Sequence, residues 1–170
     1  MVLDVSAALS AQGEEIPFVC AEEVRATTWD GAEVEFLSPV EARGVFVAMK
    51  DDVWVKAEVR ARICTSCANC LGAATLEVCA PVEAHFAREP DPEDPDLFPL
   101  TGRTVRLNDA ALGALWMRLP MRILCKPDCR GLCPVCGADL NIVKCACQKE
   151  SPSKHPFSAL ASLLKSDEEV

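Results

Sequence analysis

The chain has 170 residues, half of them hydrophobic and a quarter charged, with a formal net charge of −9. That length and balance suit one globular domain, or one domain with a small metal-held appendage, and exclude a disordered chain. The acidic surplus argues against binding nucleic acid through the overall field, because neutralising phosphates needs clustered Lys and Arg.

Met1 to Leu9 lacks a basic stretch, and Asp4 interrupts its apolar run, so no signal peptide is expected. No apolar run approaches the roughly 20 residues of a membrane helix. Eleven cysteines without a secretory signal point to a cytoplasmic protein whose thiols stay reduced and act as metal ligands.

In chain order, the opening around Val2, Val5 and Leu9 suits a short strand or a weak helix and ends at Gly13 and Pro17. From Glu23 the character turns to strands. Val24 to Trp29 runs into Asp30-Gly31, a two-residue hairpin signal, and Ala32 to Leu37 continues the alternation. Gly44 to Met49 meets a turn at Lys50-Asp51-Asp52, followed by the clearest strand, Val53 to Cys64. From Val55 its odd positions are Val, Ala, Val, Ala, Ile and its even ones Lys, Glu, Arg, Arg, the period of two of a half-buried strand.

Cys64 to Leu71 reads as a turn, and Ala74 to Arg88 as the strand that returns from it, giving a plain antiparallel sheet. Glu89 to Asp96 is a solvated loop of prolines and carboxylates. Thr104 to Leu107 can form a short strand. Asn108 is placed to cap a helix over Asp109 to Leu119, with Leu112, Leu115, Trp116 and Leu119 on one stripe, and Pro120 ends it. A short amphipathic helix is expected from Phe157 to Lys165, followed by an acidic tail.

Six cysteines fall between Cys125 and Cys147. The pair Cys133-Pro-Val-Cys136-Gly137 suits a zinc knuckle: the tight loop turns backbone amides toward the two sulfurs, and Gly137 supplies the left-handed turn that closes it. With Cys145 and Cys147 it makes the preferred set of four thiolates, closed to water and so structural rather than catalytic. Cys125 and Cys129 form a second pair that can replace the last two. The cluster Cys64, Cys67 and Cys70 has two readings of equal weight: Cys67 and Cys70 as a further half-knuckle, completed by Cys79 or by the spare C-terminal pair, or buried or idle thiols. Five cations face two carboxylates between Met121 and Lys149, a local +3 that offsets thiolate charge and equally suits a small RNA-facing patch. His85 and His155 read as surface or packing residues. No nucleophile–base constellation, phosphate-cradling loop or deaminase signature is present, so no enzyme and no small-molecule substrate is expected.

The order Cys67-x-x-Cys70-Leu71, acidic loop, apolar helix ending Leu119-Pro120, the run Cys125 to Asn141 and the closing Pro156 to Leu163 resembles the YceD-like family, the large ribosomal RNA subunit accumulation proteins. The resemblance covers about residues 44 to 165. It departs at Asn69, where the family commonly has Arg, and at Lys154-His155-Pro156, where it commonly has Asp-Pro-Arg. The resemblance implies a non-enzymatic factor for accumulation or processing of large-subunit ribosomal RNA, with that RNA precursor or pre-ribosomal proteins as partners. Some relatives lack the cysteines, which makes zinc a scaffold option.

The reading is therefore an α+β protein: an antiparallel sheet domain with one helix over 1–120, a cysteine-rich zinc-binding segment over 121–150, and a C-terminal helix and acidic tail over 151–170, together expected to form one compact unit. The alternative function is a cytosolic thiol or zinc redox sensor. A zinc ribbon binding nucleic acid alone comes third, against the charge.

Overall fold

The computed structural model describes residues 1–147 except positions 92 and 95. The C-terminal helix and tail expected over 151–170 lie outside the described residues. Two compact units divide the chain, Met1–Cys129 and Arg130–Val170. The cysteine-rich segment expected over 121–150 is thus shared between them.

The first unit is dominated by sheet. Its elements are β1 (Val2–Asp4), α1 (Ser6–Ser10), β2 (Ile16–Glu22), β3 (Thr27–Trp29), β4 (Ala32–Phe36), β5 (Val40–Met49), β6 (Asp52–Ser66), β7 (Ala73–Ala87), β8 (Leu97–Thr101), β9 (Thr104–Arg106) and α2 (Asn108–Arg118). Strand β6 is the hub. One of its edges pairs with β7 from Val53↔Phe86 to Ser66↔Ala73. Its other edge forks, pairing first with β5 and then, at Ile63 and Cys64, with β4. Beyond β7 the sheet continues through β8 and β9 to β1; β2 extends β5, and β3 extends β4.

The period of two in β6 is realised as expected. Val53, Val55, Val59, Ala61 and Ile63 are buried, while Trp54, Lys56, Glu58, Arg60 and Arg62 face out. Alternation of this kind lets a strand bury one face without burying charge. The same inward phase in β5 and β7 supplies Ala42, Phe46, Ala48, Val78, Ala80, Val82 and Phe86, and α2 adds Ala111 and Leu115 to this core.

One turn follows directly from residue type and another from a side-chain contact. Asp30 (φ 49°) and Gly31 (φ 77°) both take positive φ, as a two-residue hairpin requires. At the β5–β6 turn Lys50 takes φ 58° without a glycine. The Gln12 amide holds it there, donating to the Lys50 carbonyl and accepting from the Lys50 amide, each at 2.6 Å.

Several expectations are corrected. The opening forms β1, α1 and β2, and β2 pairs with β5 from Ile16↔Phe46 to Glu22↔Val40. Pro17 and Gly13 mask that strand in the sequence, yet a proline is tolerated in a strand with only one neighbour. Strand β8 follows the acidic loop and was not expected; Pro99 hid it. Its pairing with β7 is parallel, His85↔Leu97 to Ala87↔Pro99, so the sheet is not plainly antiparallel. The first hairpin strand starts at Thr27 rather than Val24, and β5 starts at Val40 rather than Gly44. Asn108 does not cap α2: Leu107 holds the cap position without a side-chain bond, and the Asn108 amide donates to Glu22 at 3.1 Å.

Candidate metal centres

The cysteines of the first unit converge because β6 delivers one of them inward. Cys67 is the next inward position after Ile63 and Thr65, and it is fully buried against Ala74 and Ile123, with Trp29 and Leu76 packed alongside. The turn after it is tight: the Leu71 amide donates to the Cys67 carbonyl (2.9 Å) and the Cys67 amide to the Gly72 carbonyl (2.7 Å). Leu71 closes the turn at φ 60°.

The segment after α2 approaches this turn through the Ala68 amide, which donates to the Ile123 carbonyl at 2.8 Å. Asn69 stitches the two together, donating to the Cys129 carbonyl at 3.1 Å and accepting from Arg122. The sulfurs of Cys67, Cys70, Cys125 and Cys129 all lie within 4.8 Å of one another. Cys67 and Cys129 are 3.7 Å apart, and Cys70 and Cys125 3.6 Å.

The second unit repeats the local device. The Gly137 amide donates to the Cys133 carbonyl (2.9 Å) and the Cys133 amide to the Ala138 carbonyl (2.8 Å). Gly137 closes the turn at φ 70°. Leu71 and Gly137 thus hold equivalent places in two hydrogen-bonded knuckles. Asp139 and Asn141 lock the following loop: the Arg130 amide donates to the Asn141 side chain (2.9 Å), and the Asn141 amide to the Asp139 carboxylate (2.8 Å). The sulfurs of Cys133, Cys136, Cys145 and Cys147 again lie within 4.8 Å, with Cys133 and Cys145 3.4 Å apart.

These spacings fit the donor set. Four thiolates about 2.3 Å from a tetrahedral ion stand about 3.8 Å apart along each edge. The titration of the thiols carries the same message. Burial works to raise Cys67, but the amides of Cys125, Cys70 and Asn69 aimed at its sulfur prevail and bring it down to about 6. Cys125 is desolvated and hydrogen-bonded to Cys129, Cys70 and Cys67, and is pushed up to about 12. In the second group the amides of Cys136 and Val135, with the Cys145 thiol, bring Cys133 down to about 6. Bonding to Cys136, then desolvation and thiolate repulsion, push Cys147 up to about 12. In each group the first thiolate forms readily and a later one is strongly opposed by the others. A dication among them is the charge that lets all four ionise.

The structure also shows which candidates stay apart. Cys79 lies on β7 opposite Arg60 and faces Glu58, outside either group. Cys64 pairs with Thr75 in the ladder, and Cys20 is half-buried on β2. His85 stacks on Trp54, ring centroids 3.8 Å apart, and meets Asp52 at 3.0 Å. His155 lies outside the described residues. The structure brings together Cys133, Cys136, Cys145 and Cys147, the set preferred from spacing, and joins Cys67 and Cys70 to the spare pair Cys125 and Cys129, one of the two completions left open. The inward phase of β6, which carries Cys67 to the core side, is a further signal for the first group.

The fold and these sites define a sheet-dominated α+β protein with two four-cysteine groups able to hold a metal ion. The chain belongs to the YceD family, described as large ribosomal RNA subunit accumulation protein YceD, whose model matches residues 55–164. It is also 29% identical over 98 residues to the uncharacterized protein Rv2926c of Mycobacterium tuberculosis and to the uncharacterized protein Mb2951c of Mycobacterium bovis, covering 55% of this chain and 47% of each relative. The chain thus spans about half the length of the curated relatives it matches. No solved structure matches it. No helix among the described residues is long and apolar enough to cross a membrane.

Proposed function

We propose that this protein is a non-enzymatic factor for accumulation of large-subunit ribosomal RNA, shaped by two structural zinc ions. Family membership supports the ribosomal role; the observation that carries the metal reading is the pair of four-sulfur groups on matching knuckles. Zinc supplies crosslinking and charge balance when bound. Everything else is done by the chain. Cys67 and Cys70, at the end of β6, would join Cys125 and Cys129 and tie the segment after α2 to the β6–β7 turn. Cys133, Cys136, Cys145 and Cys147 would hold the second unit, whose described part buries few side chains besides Cys133. Four thiolates leave no ligand position for water, which favours a structural over a catalytic role.

Metal analysis of the anaerobically purified protein is expected to find two zinc ions per chain. None would sink the scaffold reading, and one would sink the two-centre form of it. The functional test is depletion in the source organism, with precursor and mature ribosomal RNAs of both subunits quantified. A fall in the large-to-small subunit ratio is expected; an unchanged ratio refutes the role.

The sulfur contacts also favour a second reading, thiol redox control. Hydrogen peroxide would accept two electrons as two neighbouring thiolates, such as Cys133 and Cys145 at 3.4 Å, join in a disulfide; its O–O bond breaks, it takes two protons from solvent and leaves as two waters, and the lost thiolates would no longer hold a metal. Reversible zinc release by mild peroxide, with a matching change in partner binding, would support it. Zinc retained under the same treatment would end it.

A further inference from the structure

Beside the second cysteine group lies a hollow of about 280 Å³, lined by Pro134, Val135, Leu140 and Val143 together with Arg130, Lys144 and cysteines of the group. Its volume is just under the roughly 300–1,000 Å³ of sites that bury a drug-sized ligand. It is therefore suited to one planar ring system. Among the described residues no carboxylate lines it. Among the described residues neither Arg130 nor Lys144 enters an ion pair. Val135 and Val143 are 62% and 48% exposed, apolar surface open to water in a unit whose described part buries few side chains.

Resting on the ribosomal reading above, we propose that this hollow receives an unpaired nucleotide of RNA. The base lies against the apolar wall of Pro134, Val135, Leu140 and Val143, and Arg130 and Lys144 meet its phosphate. Three features favour this occupant. Sequence-tolerant RNA contact relies on splayed bases, stacked on aromatic or guanidinium planes in many proteins and packed on an aliphatic wall here, with cations tracking the backbone. A chain of net charge −9 can make such a contact only where cations are gathered locally, and the described lining of this hollow holds two cations and no carboxylate. A paired base cannot enter, so the contact selects single strands. The competing explanation is that Arg130 and Lys144 merely offset thiolate charge, and it makes a different prediction about metal retention.

The experiment uses the full, zinc-loaded chain and a labelled single-stranded RNA of about 12 nucleotides. The same strand annealed to its complement is the control, and anisotropy is followed from about 50 to about 200 mM salt. Single strands are expected to bind more tightly than the duplex. Two single-strand phosphate contacts weaken binding about sevenfold over that salt range. The double variant Arg130→Ala with Lys144→Ala is expected to lose that share of the salt dependence and to keep its zinc. Val143→Asp, which puts a carboxylate in the hollow, is expected to weaken binding at least about tenfold, again at unchanged zinc.

Wild-type affinity in these variants, absence of RNA binding by the wild type, or preference for an acidic peptide would each overturn the proposal. So would loss of zinc from the double cation variant, which would assign the cations to charge balance. Subunit ratios keep the two readings apart. A normal large-to-small ratio on depletion refutes the ribosomal role itself, whereas an altered ratio with wild-type RNA affinity in the variants refutes only the hollow.

Discussion

Replacing Gly44 with alanine is expected to destabilise the sheet unit by about 3 kcal/mol or more, at the upper end of what overpacking costs. A Cβ at this position would lie 2.0 Å from the Lys56 carbonyl oxygen, 2.5 Å from the Ala57 Cα and 2.7 Å from the Ala57 Cβ. Two of those atoms are backbone on β6, which is clamped between β5 and β7 and cannot step aside. Relief would require β5 to move off the hub, disturbing Ala42 and Phe46 in the core. Gly113 is the internal control. A Cβ there meets nothing within 4 Å, and the residue sits inside α2. Gly113→Ala is therefore expected to stabilise by about 0.5–1 kcal/mol. Thermal or urea unfolding of the two variants decides the matter: equal midpoints would show that the close approach of β5 and β6 is wrong.

Cys67→Ser and Cys133→Ser are expected to cost the same zinc and different amounts of stability. Each removes one ligand of four, so each is expected to fall from two ions per chain to one. Loss of a structural ion present at about a thousand times its dissociation constant forfeits about 4 kcal/mol. For Cys67→Ser that loss falls on the sheet unit, because Cys67 directly follows β6 and its cluster packs against Trp29 and Leu76. Trp29 also stacks on Trp116, ring centroids 6.5 Å apart, so tryptophan emission is expected to shift along with the melting temperature. For Cys133→Ser all four ligands come from the second unit, and the melting of the sheet unit is expected to hold. Two ions retained by Cys67→Ser would remove Cys67 from the ligand set. Equal loss of sheet stability in both variants would remove the separation of the two centres.

How much of this was legible beforehand depended on whether the signal was local. The alternation from Val55 to Ile63 dictates which side chains are buried, and it placed β6 and its return strand within a residue or two. The Asp30-Gly31 turn and the knuckle ending in Gly137 are likewise properties of a few consecutive residues. The fork of β6 between β5 and β4 is a long-range choice that no short window contains. Nor does the parallel contact of Leu97 with His85 show in any local pattern. Strands β2 and β8 were hidden by Pro17 and Pro99, which deny a donor on one edge only. In the cysteine groups, the sequence distance from Cys70 to Cys125 is bridged by β7, β8, β9 and α2. Spacing therefore left Cys67 and Cys70 a choice between Cys79 and the spare pair Cys125 and Cys129, and the fold brings them to the latter. Leu71 was the least readable element: it does a glycine's work at φ 60° with no glycine to announce it.

The family match begins at residue 55, inside β6, which starts at Asp52. Shared ancestry and a unit capable of folding are therefore not the same stretch of chain. A fragment cut at the matched boundary would sever the hub strand and discard the neighbour that covers its first half. It would also leave Val55, Val59 and Ala61 without Ala42, Phe46 and Ala48 from β5 to share the core. Gln12, far from the matched range, would go as well, and with it the amide that secures the Lys50 turn. Work on this protein that trims to the recognisable portion would be studying an opened sheet, prone to aggregate along the bared edge of β6. Fragments meant to isolate the centre of Cys67, Cys70, Cys125 and Cys129 must keep the first 54 residues.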